Sequence, residues 1–258
     1  MSAPRLSDVE AWLDRLYIAA EGAGLRDEDR RKAREVAAML DEIERAAGRL
    51  SHRSPLVLVD AAAGKSYVGL LAARLVFEPA GVAATVITIE REASRVALSR
   101  RAVERLGSCI PIECRQAEVS DPSAWPDRPS IVTALHACGE AADAVIERAI
   151  ASCCRELLLV PCCTSRAVAA ATRAEARAAQ AGIPRHAPVR RRFIQAMVDA
   201  ERTWRLEAAG FETEVVEFVG ATITPHNLLW RARKVGEPHR VAAAQSALDR
   251  IRSGTEPI

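Results

Sequence analysis

The feature that most constrains this chain is the run Leu56-Val57-Leu58-Val59-Asp60, which passes directly into Ala61-Ala62-Ala63-Gly64-Lys65-Ser66-Tyr67. The apolar part shows no alternation, so both of its faces must be covered, as in the central strand of a parallel sheet. It ends in an acid, and the small residues that follow open sequence compatible with a helix. A buried strand, a tight turn and a helix start are the parts from which α/β folds build a nucleotide-sized pocket.

The rest of the chain fits that beginning. From about Ser7 to Leu50, apolar residues recur at helical spacing (Val9, Trp12, Leu13, Leu16, then Val36, Leu40, Ile43), predicting two or three amphipathic helices with a loop near Gly22-Ala23-Gly24. Beyond Pro55, short apolar runs near 56–60, 84–89, 110–114, 130–135 and 156–161 alternate with helical patterns near 66–77, 92–106 and 139–151. That alternation is the pattern of repeated β-α units and an open, doubly wound sheet. A long helical stretch at about 165–209 precedes two β-rich runs, Glu212 to Val219 and Asn227 to Lys234. With no helix between them, those two strands predict an antiparallel hairpin at the sheet edge. The expected organisation is an N-terminal helical extension over 1–54, a main domain over 55–235 with a basic helical insertion at about 164–192, and a tail over 236–258.

In such sheets ligands bind beyond the carboxyl ends of the strands, which directs attention to the residues that end them. Asp60 ends the first strand and Glu90 the second, where a carboxylate is placed to accept hydrogen bonds from ribose hydroxyls. The bland alternative makes Asp60 a helix cap and Glu90 a solvated charge. Gly64-Lys65-Ser66 mimics the end of a phosphate-binding P-loop, but Val59 stands where that pattern needs a glycine. A dinucleotide fingerprint needs three glycines and the turn has one. A ligand without a pyrophosphate fits better.

Two further elements sit at later strand ends: Ala134-Leu135-His136-Ala137-Cys138-Gly139 and Pro161-Cys162-Cys163. Together with Asp60 to Ser66 and Glu90, they make the chain resemble class I S-adenosylmethionine-dependent methyltransferases over about Pro55 to Lys234. More narrowly, it resembles the subgroup with A-L-H-A-C-G and P-C-C elements, which includes the methyltransferase-like domain of a vertebrate protein named for a glutathione-transferase C-terminal domain. A more distant similarity is to tRNA 2′-O-methyltransferases. The resemblance implies a mostly parallel, seven-stranded Rossmann-like sheet with an antiparallel C-terminal hairpin. It also implies that Asp60, Ala62 and Gly64 surround the amino-acid part of S-adenosylmethionine, that Glu90 holds its ribose, and that Glu118 lies near the adenine. The first loop departs from the family's D-x-G-x-G pattern, with Ala62 and Ser66 where glycines are usual. Pro225-His226-Asn227 resembles the family's S-P-K-N element, Asn227 serving to close the pocket or to terminate a turn.

His136 falls at the end of the fourth strand, where a neutral imidazole suits proton acceptance from an acceptor hydroxyl or amine. The alternative is a histidine that fixes the loop through backbone hydrogen bonds. Asp143, seven residues on, corresponds to the family's acid in A-x-D and is expected to orient His136 or cap the following helix. The chain has seven cysteines, an odd number, with adjacent pairs at 153–154 and 162–163, a pattern unlike a secreted disulfide framework. Reduced, small, buried thiols packing under the pocket are the expectation. Zinc on His136, Cys138, Cys162 and Cys163 is the weaker alternative because paired ligands usually come from C-x-x-C spacing; a nucleophilic thiol is another. No metal is assigned.

A net charge of +2 does not argue for nucleic acid by itself, so any such case rests on local clustering. Between Thr164 and Arg192 lie Arg166, Arg173, Arg177, Arg185, Arg190, Arg191 and Arg192 against one acid, Glu175. Guanidinium groups there suit the phosphates of an RNA or a small substrate, or form a solvated helix face; aromatic residues, at 4%, offer little base stacking. There is no run of eighteen apolar residues, and Met1 to Asp8 lacks the layout of a secretory signal, so no membrane partner and a cytoplasmic location are expected. The leading expectation is a methyltransferase with an unidentified acceptor. Its rival is a non-catalytic binding or scaffold module that keeps the same fold.

Overall fold

A computed structural model describes residues 6–17, 25–164 and 167–253, with Cys163 described for its backbone alone. The expected loop at Gly22 to Gly24 and Arg166 lie outside the described residues. Seven strands, β1 (Leu56–Ala61), β2 (Ala84–Glu90), β3 (Ile112–Gln116), β4 (Ile131–Cys138), β5 (Glu156–Cys163), β6 (Phe211–Glu217) and β7 (Leu228–Lys234), form one sheet in the order β3-β2-β1-β4-β5-β7-β6. The pairs among β1 to β5 are parallel, and β7 runs antiparallel to both β5 and β6. The connection from β6 to β7 is too short for a crossover helix, which leaves a hairpin as its geometry. Its second strand pairs with β5 and its first becomes the edge. This is the doubly wound, mostly parallel sheet with an antiparallel C-terminal hairpin that the sequence predicts.

Side-chain alternation gives the sheet two apolar faces. Leu56, Leu58, Val86, Ile131, Leu158 and Val160 point to one, where they share a core with α1 (Leu6–Tyr17), α2 (Asp27–Arg49), α3 (Tyr67–Ala72) and α4 (Ala93–Leu106). Val59, Ala61, Ile87, Ile89, Val132 and Ala134 point to the other, against α5 (Glu140–Ala151) and α7 (Ala187–Ala208). The helix α3 runs on into a π-helical turn, Ala73–Phe77. A shorter helix, α6 (Ala169–Gln180), packs Ala170 and Ala171 on Val198 of α7, and α8 (Pro238–Ser253) buries Ala244 and Leu248. Among the described residues no helix is long and apolar enough to cross a membrane.

Helix α2 packs across β4 and β5. Val36, Met39, Leu40, Ile43 and Ala47 are fully buried along one stripe, each large side chain contributing roughly 1.5–3 kcal/mol of burial. Ion pairs then fix its register. Arg49 donates to both oxygens of Glu156 on β5 (3.2 and 3.0 Å), and Arg231 on β7 donates to both oxygens of Glu42 (2.9 and 2.7 Å). Glu42 and Glu156 are both buried; losing Arg49 would strand the Glu156 carboxylate, a costly outcome, whereas Glu42 also pairs with Arg45 on its own helix.

Candidate functional site

Parallel strands on either side of β1 send their following helices to opposite faces, which opens a crevice above the carboxyl ends of β1 and β4. From Asp60 the chain turns through Ala62, Gly64 and Ser66, whose φ values are +52°, +60° and +59°. Only the middle one is a glycine; a side chain in this left-handed region costs roughly 1–2 kcal/mol. The loop is held in place from three directions. Ala63 N–H donates to the Ile89 carbonyl at 3.0 Å, Gly64 N–H to Glu90 Oε2 at 2.8 Å, and the Tyr17 hydroxyl of α1 to the Lys65 carbonyl at 2.6 Å. Tyr17 also packs edge-to-face on Tyr67, with ring centroids 4.5 Å apart.

Glu90 is buried at the end of β2, and its other oxygen accepts from the Glu92 N–H at 3.0 Å. Two backbone donors leave a carboxylate with free lone-pair positions. Asp60 is 2% exposed and its Oδ2 accepts the Gly69 N–H at 2.9 Å. A Cβ on Gly69 would sit 3.0 Å from Thr88 Cγ2 and 3.2 Å from Asp60, so glycine is what lets α3 approach the strands. Burial pushes the Asp60 carboxyl up to about 7, against the opposing pull of the Gly69 N–H and the Lys32 ammonium. Two hydroxyls near this carboxylate are buried without a hydrogen-bond partner among the described residues: Ser66 Oγ, at the end of the loop, and Oγ1 of Thr133, the register partner of Asp60 on β4. Glu118, beyond β3, is largely exposed, with Arg91 at 3.9 Å.

At the end of β4 the pairing with β5 slips on either side of Ala137, and His136 adopts φ +65°. Simple alternation would send residue 136 to the face of Val132 and Ala134. The bulge absorbs one position and turns His136 toward α2 instead, which is how bulges re-aim side chains. There its Nε2 lies 2.9 Å from Glu35 Oε2. Glu35 is 6% exposed and also receives Lys32 Nζ at 3.3 Å. Burial raises its carboxyl, but the His136 hydrogen bond and the Lys32 charge outweigh that and leave it lowered.

Asp143 is not the acid that orients His136. Its oxygens are taken by Arg202 and Arg205 of α7, each at 2.7 Å, so it ties α5 to α7, and α5 starts at Gly139 without a side-chain cap. The cysteine expectation also changes. Cys138 is exposed and Cys162 half-buried, and the two are joined as a disulfide between the ends of β4 and β5, with Cα atoms 5.3 Å apart. Parallel neighbours deliver both residues to one edge, and both sulfurs lie beside the His136 carbonyl, at 3.5 and 3.6 Å. Among the described residues no three His, Cys, Asp or Glu side chains converge as a metal site.

The arginine-rich segment is partly committed to structure. Arg173 donates to both oxygens of Glu201 (2.6 and 2.8 Å) and Arg190 pairs with Glu175 at 3.0 Å, whereas Arg185, Arg191 and Arg192 are exposed. At the hairpin loop, Asn227 donates to the Val219 carbonyl at 3.1 Å, the turn-terminating role.

Residues 31–170, more than half of the chain, match the model of a methyltransferase domain family. The chain belongs to that family. The match begins inside α2, so it includes Glu35 together with Asp60, Glu90 and His136. Among solved structures, this methyltransferase domain is similar to magnesium protoporphyrin IX methyltransferase from Synechocystis PCC 6803 with bound S-adenosylhomocysteine: TM-score 0.50, 14% identity, 89% of this chain and 99% of that one covered. It is similar also to a putative rRNA-methylase from Clostridium thermocellum (TM-score 0.51, 12% identity, 79% and 97% covered). A third is an S-adenosylhomocysteine-bound methyltransferase from Podospora anserina (TM-score 0.50, 10% identity, 89% and 87% covered). At such identities the likeness is one of fold. No curated protein matches the chain.

Sequence reasoning missed Tyr17, Glu35 and Gly69, which help to organise this site. Glu35 carried a signal: it and Glu42, seven positions apart, fall beside the apolar stripe Val36, Met39, Leu40, Ile43 rather than on the solvated face. Gly69 carried another, as an isolated glycine inside a helical pattern, which usually has a packing reason.

Proposed function

We propose that this methyltransferase domain uses S-adenosylmethionine, bound over the Asp60–Ser66 loop and Glu90, to methylate an acceptor delivered beside His136. The observation that carries this reading is the loop itself: left-handed residues at 62, 64 and 66, open space above Gly64, and the Glu90 carboxylate bonded to the Gly64 N–H. The donor set fits a cationic amino acid joined to a ribose. Glu90 has lone pairs left for ribose hydroxyls, Asp60 places negative charge under the loop, and Ser66 Oγ is an unpartnered buried hydroxyl at its end. Glu118, exposed beyond β3, has room to meet an adenine. When bound, S-adenosylmethionine supplies a methyl group on a sulfonium, which the acceptor's lone pair attacks while sulfur keeps the electrons of the broken bond. Much of the rate then rests on alignment. Here the chain contributes a rigid floor to the pocket and, at His136, a base for the acceptor's proton.

The acceptor class we favour is RNA or another phosphate-bearing molecule, supported by exposed Arg185, Arg191 and Arg192 in the segment after β5. The narrower subgroup assignment rests on Ala134 to Gly139 and Pro161 to Cys163.

Calorimetric titration with S-adenosylmethionine and S-adenosylhomocysteine tests the first step, and absence of binding heat for both overturns the cofactor assignment in favour of a scaffold role. Incubation with methyl-labelled S-adenosylmethionine and total RNA, total protein or small-molecule extract tests the second. Label in RNA or in a phosphate-bearing metabolite supports the preferred acceptor; label confined to protein or to phosphate-free metabolites replaces it.

A further inference from the structure

We infer that Glu35, on α2, is the positioning residue that fixes His136 as the site's base, by holding its proton on Nε2 and leaving the lone pair on Nδ1. This role rests on the methyltransferase reading but is carried by separate geometry.

An ionised carboxylate only accepts hydrogen bonds. With Glu35 Oε2 2.9 Å from Nε2, that nitrogen carries the hydrogen, so the lone pair of the neutral ring must be on Nδ1. Among the described residues Nδ1 has no hydrogen-bond partner, and the side chain is 20% exposed, so the ring is anchored at one nitrogen and reaches the surface in part. The backbone is distorted to produce this arrangement. A non-glycine residue at φ +65° in a bulge is strained, and such strain concentrates at functional sites.

Glu35 itself is rigidly supplied. It lies on a helix whose far half is clamped to β5 and β7 by the Arg49–Glu156 and Arg231–Glu42 pairs, and Lys32 sits 3.3 Å from the same oxygen that faces His136. The acceptor's proton moves to Nδ1, the pair of its former bond stays on the acceptor atom, and the ring becomes an imidazolium with Glu35 bonded at its other nitrogen. Asp143, the acid that the family resemblance suggests for this role, is occupied by Arg202 and Arg205.

The test uses the whole chain and two variants, Glu35→Gln and Glu35→Asp. Nitrogen-15 spectra of the imidazoles, with His136 assigned by comparison with His136→Ala, read the tautomer without any acceptor. The wild type is expected to show the proton on Nε2. Glu35→Gln, whose amide can donate as well as accept, is expected to weaken that preference. In the labelled-methyl assay, Glu35→Gln is expected to lose at least about tenfold in transfer rate at saturating S-adenosylmethionine, with melting temperature and S-adenosylhomocysteine affinity retained. Glu35→Asp, which keeps the carboxylate, is expected to recover part of the rate. A mere tie between α2 and β4 would change melting temperature and leave the rate alone. A wild-type proton on Nδ1, or full-rate transfer by Glu35→Gln, overturns the role of Glu35 while leaving the methyltransferase reading intact. A wild-type protein that transfers label to no fraction overturns that reading instead.

Discussion

The two halves of the crevice are built in different ways. On the β1–β2 side most of the groups that hold the site come from the loop and the adjacent β-α unit, Asp60 to Gly69, Gly64 to Glu90 and Ala63 to Ile89, with Tyr17 reaching in from α1. On the β4–β5 side His136 depends on Glu35, 101 residues away, and on a bulge that no local pattern announces. The first half is a pre-formed cradle and the second an assembly of distant parts. Ligand binding should therefore depend on the first half and turnover on the second.

The sharpest way to break that division is a pair of alanine substitutions. Asp60→Ala removes the partner of the Gly69 N–H and the charge beneath the loop, and is expected to abolish S-adenosylhomocysteine binding, a loss of about 100-fold or more by calorimetry, on the order of 3 kcal/mol. His136→Ala should leave that affinity unchanged and lower transfer about 100-fold, as expected for removal of a general base. If both variants lose binding equally, the halves are one unit and the division fails. Normal turnover in His136→Ala would assign the histidine to structure.

A smaller effect tests whether the cradle stores destabilising charge. Asp60 is buried with its carboxyl raised from 3.8 to about 7, so between those values the folded state holds a proton that the unfolded chain releases. Its contribution to stability is therefore present at low pH, falls as pH rises from about 4, and is lost above about 7. Asp60→Asn cannot ionise and keeps an oxygen for the Gly69 N–H. Its melting temperature relative to wild type should climb between about pH 5 and pH 8, reaching a gain of roughly 2 kcal/mol, or about 5 °C. A constant difference across that range would mean that Asp60 titrates normally in the folded protein.

The same contrast explains what the sequence could and could not reveal. Strands β1, β2, β4 and β5 are legible because buried parallel strands carry continuous apolar runs, Asp60 and Glu90 because they end those runs, and the hairpin because two β-rich runs follow each other with no helix between. The edge strand β3 is half exposed and mixed in composition, and it begins at Ile112 rather than near 110. Glu35 is not legible, because a helix pattern shows which face is buried but not which strand end it covers. Asp143 differs from what the resemblance implies for a similar reason: a local A-x-D element says nothing of Arg202 and Arg205 on α7, which take up its carboxylate. Cys138 and Cys162 lie at the ends of neighbouring strands, but their exposure and pairing depend on the bulge around Ala137, which alternation does not predict, so buried reduced thiols are what the sequence alone suggests.

The smallest expected effect concerns the departures from the family's glycine pattern. Ala62 and Ser66 already adopt φ +52° and +59°, so the backbone keeps the shape that glycine takes freely, and the Cβ atoms are accommodated at a cost in strain. Replacing either by glycine relieves roughly 1–2 kcal/mol of left-handed strain and adds about 0.5–1 kcal/mol of unfolded-chain entropy. The net gain for each is about 0.5 kcal/mol, and a gain in S-adenosylhomocysteine affinity of about twofold would accompany it if the Cβ also crowds the ligand. The two positions should differ, because Ser66 is fully buried and its hydroxyl is unpartnered among the described residues, whereas Ala62 is only half-buried. If the Ser66 hydroxyl meets the ligand, Ser66→Gly gains stability and loses affinity, while Ala62→Gly gains in both. Equal affinity gains at the two sites would show that the hydroxyl makes no contact and that the cradle binds through backbone and carboxylates alone.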